Sequence, residues 1–386
     1  MRILITDAYS STNLGDAELV RLSIASVTER YGVTPTVCAT HPQSFDNTTA
    51  KFITRPLSRY RWRKSRGMAR IAWLCSESFG IVSLFLIPFF PRIMRHTVAR
   101  LIDDLTPRLE WFTELRTADR VVGVGGGYLG DRYLRESLIC LWSYRFALAL
   151  GIPVETMPLS VSSARHRTLR WALKRTKGVT WRSREQVTRD VLADLGIDSA
   201  LVPDLAWLNT PWAVQPHREG LAISPVGAKF YGTDSQEIKI WSLITHGLEQ
   251  LPPGGTVRLI PMHTYSEELG DGGDDRLCST IAQAITRYRS DVVVELTTPQ
   301  SFDEVRHIMA RSEWAICERL HAGLAALTTT TPATVVPYEP KHAGVLQLAG
   351  LSELCEDAVP NTIAQVRKIT TLSQRQCDLV RNELMK

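Results

Sequence analysis

The chain has 386 residues, 44% of them hydrophobic and 22% charged, with a formal net charge of +5 at pH 7. This length exceeds what one hydrophobic core usually fills, so two domains are expected, and the composition excludes a disordered chain. The positive excess is concentrated in Arg55, Arg59, Arg61, Arg63, Lys64, Arg66 and Arg70 and again in Arg165, Arg167, Arg170, Lys174, Arg175 and Lys177. No recognised nucleic-acid-binding module accompanies it, which sets nucleic acid aside as a partner.

Apolar, β-rich runs begin at Arg2 (RILIT), Thr34 (TPTVCAT), Arg120 (RVVGVGG), Pro153 (PVETMPLSV), Val179 (VTW) and Leu201 (LVPDLAW). They alternate with helical patterns, which predicts a parallel sheet with crossover helices. The opening MRILITD runs into the first strand without the order of a secretory signal. The seven cysteines are scattered with no CxxC pair, so a cytoplasmic, reducing location is expected. An insertion at about 51–106 breaks the rhythm. Its apolar run FGIVSLFLIPFFPRIM, ending at Met94, is too short to cross a bilayer and is interrupted by Pro88 and Pro91. One reading is a buried helix or helical hairpin. The other joins the run to the basic stretch from Arg55, with Trp62 and Trp73, as a peripheral contact with anionic lipid.

After the link NTPWAVQPH, a second series of strands reads LAISPVG, TVRLIPMH, DVVVEL, EWAICERL and ATVVPYE. Helical spacing recurs near 235–250, 275–289, 302–310 and 321–328, and the tail 362–385 forms a last helix. The expected fold is α/β, with two Rossmann-like doubly wound domains facing a central cleft. Their spans are 1–209 and 216–360, followed by a C-terminal helix at 361–386. In such sheets ligands bind beyond the carboxyl ends of the strands.

At those ends, DAYSSTNLGDAEL places Asn13, Gly15 and Asp16 before a helix, with Asp16 either a chemical group or a helix cap. GVGGGYLGD lets the backbone at Gly126 and Gly127 approach an anion or sugar, although it is not GxGxxG. Asp131 follows as a candidate base or a plain cap. WRSREQ and VPDLAW deliver Ser183, Arg184, Glu185 and Asp204. Arg184 suits bidentate contact with a carboxylate or phosphate, or an ion pair with Glu185. CERLHAGLAAL sets Arg319 and His321 where a strand turns into a small-residue helix, combining fixed charge, a helix N-terminus and a proton donor. Lys341, in VVPYEPKHAGVL, completes the anion pocket beside Tyr338 and Glu339. His263 ends another strand, and the following Asp274 and Asp275 read as a solvated helix start. No residue spacing suggests a metal ligand set.

Together NLGD, GGGYLGD, SRE, PDLAW, ERLHAGLAAL and PYEPKH resemble the polysaccharide pyruvyl transferase family, over nearly the whole chain. The resemblance implies a GT-B-like fold, with an acceptor-side first domain and a donor-binding second. It also implies phosphoenolpyruvate as donor, a saccharide acceptor and a pyruvate ketal product, with no further cofactor. The acceptor would be a cell-surface polysaccharide or its lipid-linked precursor at the inner face of the membrane. Arg319, Leu320 and His321 match the family's donor-contacting Arg-Leu-His, and Arg184 matches a second donor arginine. Asp16 and Asp131 match acidic positions on the acceptor side, with the choice of base open. SVSS at Ser160 to Ser163 departs from the SxGP often found in relatives; His166, just downstream, is offered as a contact to the donor phosphate. The rival readings are a nucleotide-sugar glycosyltransferase on the same architecture and a non-catalytic saccharide-binding protein.

Overall fold

Every residue of the first strand, ILITDA, is buried (β1, Ile3–Ala8), as a strand covered on both faces requires. The computed structural model describes residues 1–45, 50–55, 110–210, 212, 217–226, 234–264, 273–355 and 363–385. Contacts divide the chain into two compact units, Met1–Ser11 with Leu19–Val202, and Thr12–Glu18 with Pro203–Lys386. The division is therefore not a single cut in the sequence.

The first unit continues with α1 (Leu14–Tyr31, whose first turn groups with the second unit), β2 (Thr36–Ala39), β3 (Lys51–Thr54), α2 (Glu110–Thr117), β4 (Arg120–Gly123) and β5 (Gly126–Leu129). Then come α3 (Leu134–Ala149), β6 (Val154–Thr156), β7 (Leu159–Val161), α4 (Arg167–Lys174), β8 (Val179–Ser183), α5 (Gln186–Ala193) and β9 (Ser199–Leu201). All pairings are parallel, in the order β3-β2-β1-β4-β6-β8-β7-β5 with β9 on β8. The chain winds outward in both directions from β1 and β4, as in doubly wound sheets.

Four strand expectations change, the simplest being LVPDLAW, whose strand β9 ends at Leu201. RVVGVGG and PVETMPLSV are each two strands, because β4 and β6 pair with each other while β5 pairs with β7. Glycine permits the first break, where Gly126 has φ +133°. Pro158, with no N–H to give a ladder, marks the second. Residues 51–54, counted with the insertion, are the edge strand β3 on β2. The rest of the insertion, including the apolar run and its lipid-facing reading, lies outside the described residues.

A buried carboxylate ties this sheet together. Glu155 of β6, 4% exposed, accepts hydrogen bonds from Tyr31 Oη at 2.8 Å and from Arg30 and Arg182 Nη1 at 3.1 Å each, with Arg120 Nη1 at 3.4 Å. Burial opposes its charge, but Tyr31 and then the guanidiniums of Arg182, Arg30 and Arg120 outweigh it and hold the carboxyl below the usual range. Its stabilisation is complete above the unfolded glutamate pKa of about 4.3 and is lost as pH falls through the lower folded value. Glu155→Gln lacks that dependence and leaves three arginines without their shared anion. Denaturant midpoints of the variant should already be low at neutral pH and fall less steeply in acid. Parallel curves for the two proteins would remove this role.

In the second unit, β10 (Leu221–Ser224), α6 (Asp234–Gln250), β11 (Thr256–Leu259), α7 (Asp274–Tyr288), β12 (Val293–Leu296) and α8 (Phe302–Ala310) lead to β13 (Trp314–Cys317). There follow α9 (Leu320–Thr328), β14 (Ala333–Val335), α10 (Pro340–Ala349) and α11 (Ile363–Leu384). The parallel order is β12-β11-β10-β13-β14. Spacings of three and four put Ile240, Ile244 and Leu248 of α6, and Cys278, Ile281 and Ile285 of α7, in one core with Leu221, Ile223, Val257 and Leu259. The small residues of α9 allow close approach to the sheet: a Cβ on Gly323 would stand 2.6 Å from Val335 Cγ2. Among the described residues no helix is long and apolar enough to cross a membrane.

Candidate functional site

The direction of winding in the second sheet reverses between β10 and β13, whose ends Ser224 and Cys317 are paired in register. Such a switch point is where open α/β sheets bind ligands. Glu318, immediately beyond β13 and 1% exposed, spans it by accepting from Val226 N at 3.0 Å. The next residue, Arg319, is the N-cap of α9 with extended backbone and no side-chain cap of its own. A guanidinium has no acceptor with which to cap a helix, so its donors go to other partners.

Those partners include Asp274, the first residue of α7, which is fully buried. Arg319 Nε donates to Asp274 Oδ2 at 3.0 Å and Nη2 to Oδ1 at 2.6 Å, a bidentate fork. Asp274 is held in turn by His263, whose N donates to Oδ2 at 3.1 Å and whose carbonyl accepts from Asp274 N at 2.7 Å. Burial works against the Arg319 charge, but the Asp274 carboxylate and, more weakly, Tyr338 and Asp16 raise its pKa. Asp274 is thus no solvated helix start. A Gly-Asp-Asp run carries no signal that its first carboxylate is buried against an arginine elsewhere in the chain.

His263 also anchors the NLGD segment. Asn13 and His263 form an antiparallel bridge, with Leu14 N donating to Met262 O at 2.9 Å and Thr264 N to Thr12 O at 3.2 Å. Asn13 Oδ1 accepts from Gly15 N at 3.2 Å and Asp16 N at 3.3 Å, so Asn13 supplies the cap of α1. Asp16, for which capping was one reading, is released from that task, and its charge is felt at Arg319.

His321 stands in the first turn of α9. Its ring lies against Gly15, where a Cβ would come within 2.8 Å of the imidazole Cγ; only glycine fits. The His321 Nε2 is buried without a hydrogen bond among the described residues and lies 3.8 Å from Asp204 Oδ2. That exceeds hydrogen-bonding distance. Asp204 does not end a strand but caps the short turn Leu205–Asn209 through Oδ1, which accepts from Ala206 N at 2.8 Å. Its other oxygen is the one toward His321. Lys341 is ion-paired with Glu339 at 2.6 Å, and His342 sets its ring nitrogens 3.0 Å from Glu339 O and 3.1 Å from Glu318 O. The second unit therefore gathers Asn13, Asp16, Arg319, Leu320 and His321, with Lys341 after the adjacent strand.

The remaining candidates belong to the first unit. Arg184, 1% exposed, donates from Nε to Ser160 Oγ at 2.7 Å and lies 3.7 Å from Glu185 Oε2. Ser160 bonds the same carboxylate at 2.8 Å, so the Glu185 ion pair is the partner observed. Asp131 accepts from Arg165 N at 2.8 Å and His166 N at 3.0 Å. Burial raises its pKa, but these two amides, Ser163 and the charge of His166 outweigh that and lower it. Both oxygens fasten the loop before α4, a framework contact rather than a cap on the short helix that Asp131 opens. His166 is exposed and is itself the N-cap of α4, 3.3 Å from Thr168 N. Gly126 and Gly127 sit inside β5 rather than in a loop opening onto a helix.

A model of the family described as polysaccharide pyruvyl transferase matches residues 13–340. No curated protein matches the chain. Among solved structures, S. aureus MnaA in a co-structure with UDP aligns at TM-score 0.50 and 10% identity, covering 97% of this chain and 91% of that one. A lipopolysaccharide outer core galactosyltransferase, WaaB, aligns at TM-score 0.48 and 10% identity, covering 100% and 98%. UDP-GlcNAc 2-epimerase from Neisseria meningitidis aligns at 0.45 and 12%, covering 97% and 100%. At these identities the likeness is one of fold, and the fold is GT-B-like.

Proposed function

This chain belongs to the polysaccharide pyruvyl transferase family, and on that premise we propose that it transfers the pyruvyl group of phosphoenolpyruvate to two hydroxyls of a saccharide. One observation carries the assignment to the second unit. Arg319, fixed by the buried Asp274, directly precedes a histidine whose Nε2 is buried and unbonded among the described residues. The N–H groups opening α9, at Leu320 and His321, have no partner within the helix and add partial positive charge for a carboxylate or phosphate.

In the proposed reaction Arg319 and the start of α9 hold the donor's anionic groups, with Lys341 adding positive charge. His321 delivers a proton to the methylene carbon, and an acceptor hydroxyl that loses its proton to Asp16 bonds to the adjacent carbon. The carbon–oxygen bond to phosphate breaks, phosphate departs with its electron pair, and a second hydroxyl closes the ketal with loss of its proton. Asp204 Oδ2 stands 3.8 Å from the imidazole Nε2. The acceptor is a cell-envelope polysaccharide or its lipid-linked precursor on the cytoplasmic side. Arg184 and Asp131, engaged in the first unit's framework, are assigned no step.

Thermal unfolding with phosphoenolpyruvate, against a panel of nucleotide sugars, tests the donor. A ligand at one hundred times its Kd stabilises the folded protein by about 2.7 kcal/mol, an upward shift of several degrees. Stabilisation by phosphoenolpyruvate, absent in Arg319→Ala, is the expected outcome, with phosphate release once an acceptor is supplied. Stabilisation by a nucleotide sugar alone would replace this reading with a glycosyltransferase.

A further inference from the structure

A second cluster, unconnected with donor chemistry, lies on α3 and α4 of the first unit. Helix α4 turns Leu169, Ala172 and Leu173 inward and leaves Arg167, Trp171 and Lys174 exposed, with Arg165, Arg175 and Lys177 exposed on the flanking residues. Residues 165–177 contain six Lys or Arg and no Asp or Glu. Trp171, 39% exposed, has its ring centroid 5.4 Å from that of Trp142 on α3. The Arg175 guanidinium lies 4.0 Å over the Trp171 ring, and Arg145 lies 4.9 Å from Trp142 and 5.8 Å from Trp171. Burial and then the Arg175 charge lower the Arg145 pKa. Arginine side chains are thus gathered around two indoles.

We propose that this face docks on an anionic phospholipid surface. The helix lies along the protein surface with its apolar side already buried, so what it presents is a row of cations around a half-exposed indole. Tryptophan favours the membrane–water interface, and arginine stacked on it reaches phosphate while its apolar stem stays covered. Each basic residue near such a surface contributes roughly a fivefold gain in partitioning, screened by salt. Single-stranded nucleic acid fits less well, because it stacks bases on open aromatic faces and Arg175 covers a face of Trp171. The proposal commits to α4 with its flanking residues and holds whatever sugar is modified.

The test is co-sedimentation of the full chain with vesicles of phosphatidylcholine alone or mixed with phosphatidylglycerol. Wild type should partition onto the anionic vesicles and release with salt. Arg167→Gln/Lys174→Gln/Lys177→Gln should lower that partitioning roughly 100-fold with an unchanged thermal midpoint, since all three side chains are exposed. Trp171→Ala should weaken it further. Equal binding by the triple variant and wild type overturns the proposal, as does equal binding to neutral vesicles or none to either. Binding to polyuridylate instead of vesicles, through the same three residues, would reassign the face to nucleic acid.

Discussion

His321→Ala loses turnover by a factor on the order of 10² to 10⁴, the usual contribution of a positioned general acid, while phosphoenolpyruvate still stabilises the protein. The two effects separate because the proposed mechanism assigns the donor's charges to Arg319 and the start of α9. Replacing the ring leaves the Arg319–Asp274 fork in place. Phosphate release at saturating donor measures the first effect, and the thermal shift with phosphoenolpyruvate measures the second. Near-normal turnover removes the proton-donor role. A lost thermal shift with a normally folded protein turns His321 into a binding residue.

The second large effect is on stability and binding together. Asp274→Ala leaves the Arg319 guanidinium without the bidentate partner that offsets its burial, which typically costs about 3–5 kcal/mol. It also frees the side chain to which the proposed mechanism assigns the donor, so the phosphoenolpyruvate shift should disappear at the same time. Asp274→Leu/Arg319→Met, which removes both charges, should restore much of the stability but none of the donor binding. Denaturant unfolding of the three proteins decides the matter. A midpoint in Asp274→Ala equal to that of wild type would mean that the pair does not hold this strand end.

Much of this site was legible in the sequence because its chemistry is local. A β-rich run ending at Cys317, followed by charge, imidazole and a run of small residues, predicts a strand, a turn and a helix that must pack closely. Gly323 against Val335 is the reason for the small residues. What stayed hidden was pairing across long separations. Nothing around Asp274 distinguishes a helix start in water from a buried counter-ion. Similarly, Asp131 and Asp16 each had capping and chemistry as open readings, and the amides before α4 occupy Asp131. Asp204 caps its own turn, whereas Asn13 takes the cap that would have occupied Asp16.

By itself the sequence determined the class of fold and the order of its parts. Strand and helix periods and helix N-termini are set by near neighbours, and the motifs of the family are contiguous words; the breaks at Gly126 and Pro158 follow only from which strands pair. Only the tertiary structure decided which residues share a site. A backbone bridge from Asn13 to His263 joins the first turn of α1 to the second unit, and a buried fork fixes Arg319. The physical reason is that backbone pairing and desolvated charge are satisfied by whichever group the fold brings near, and sequence distance carries no record of that choice.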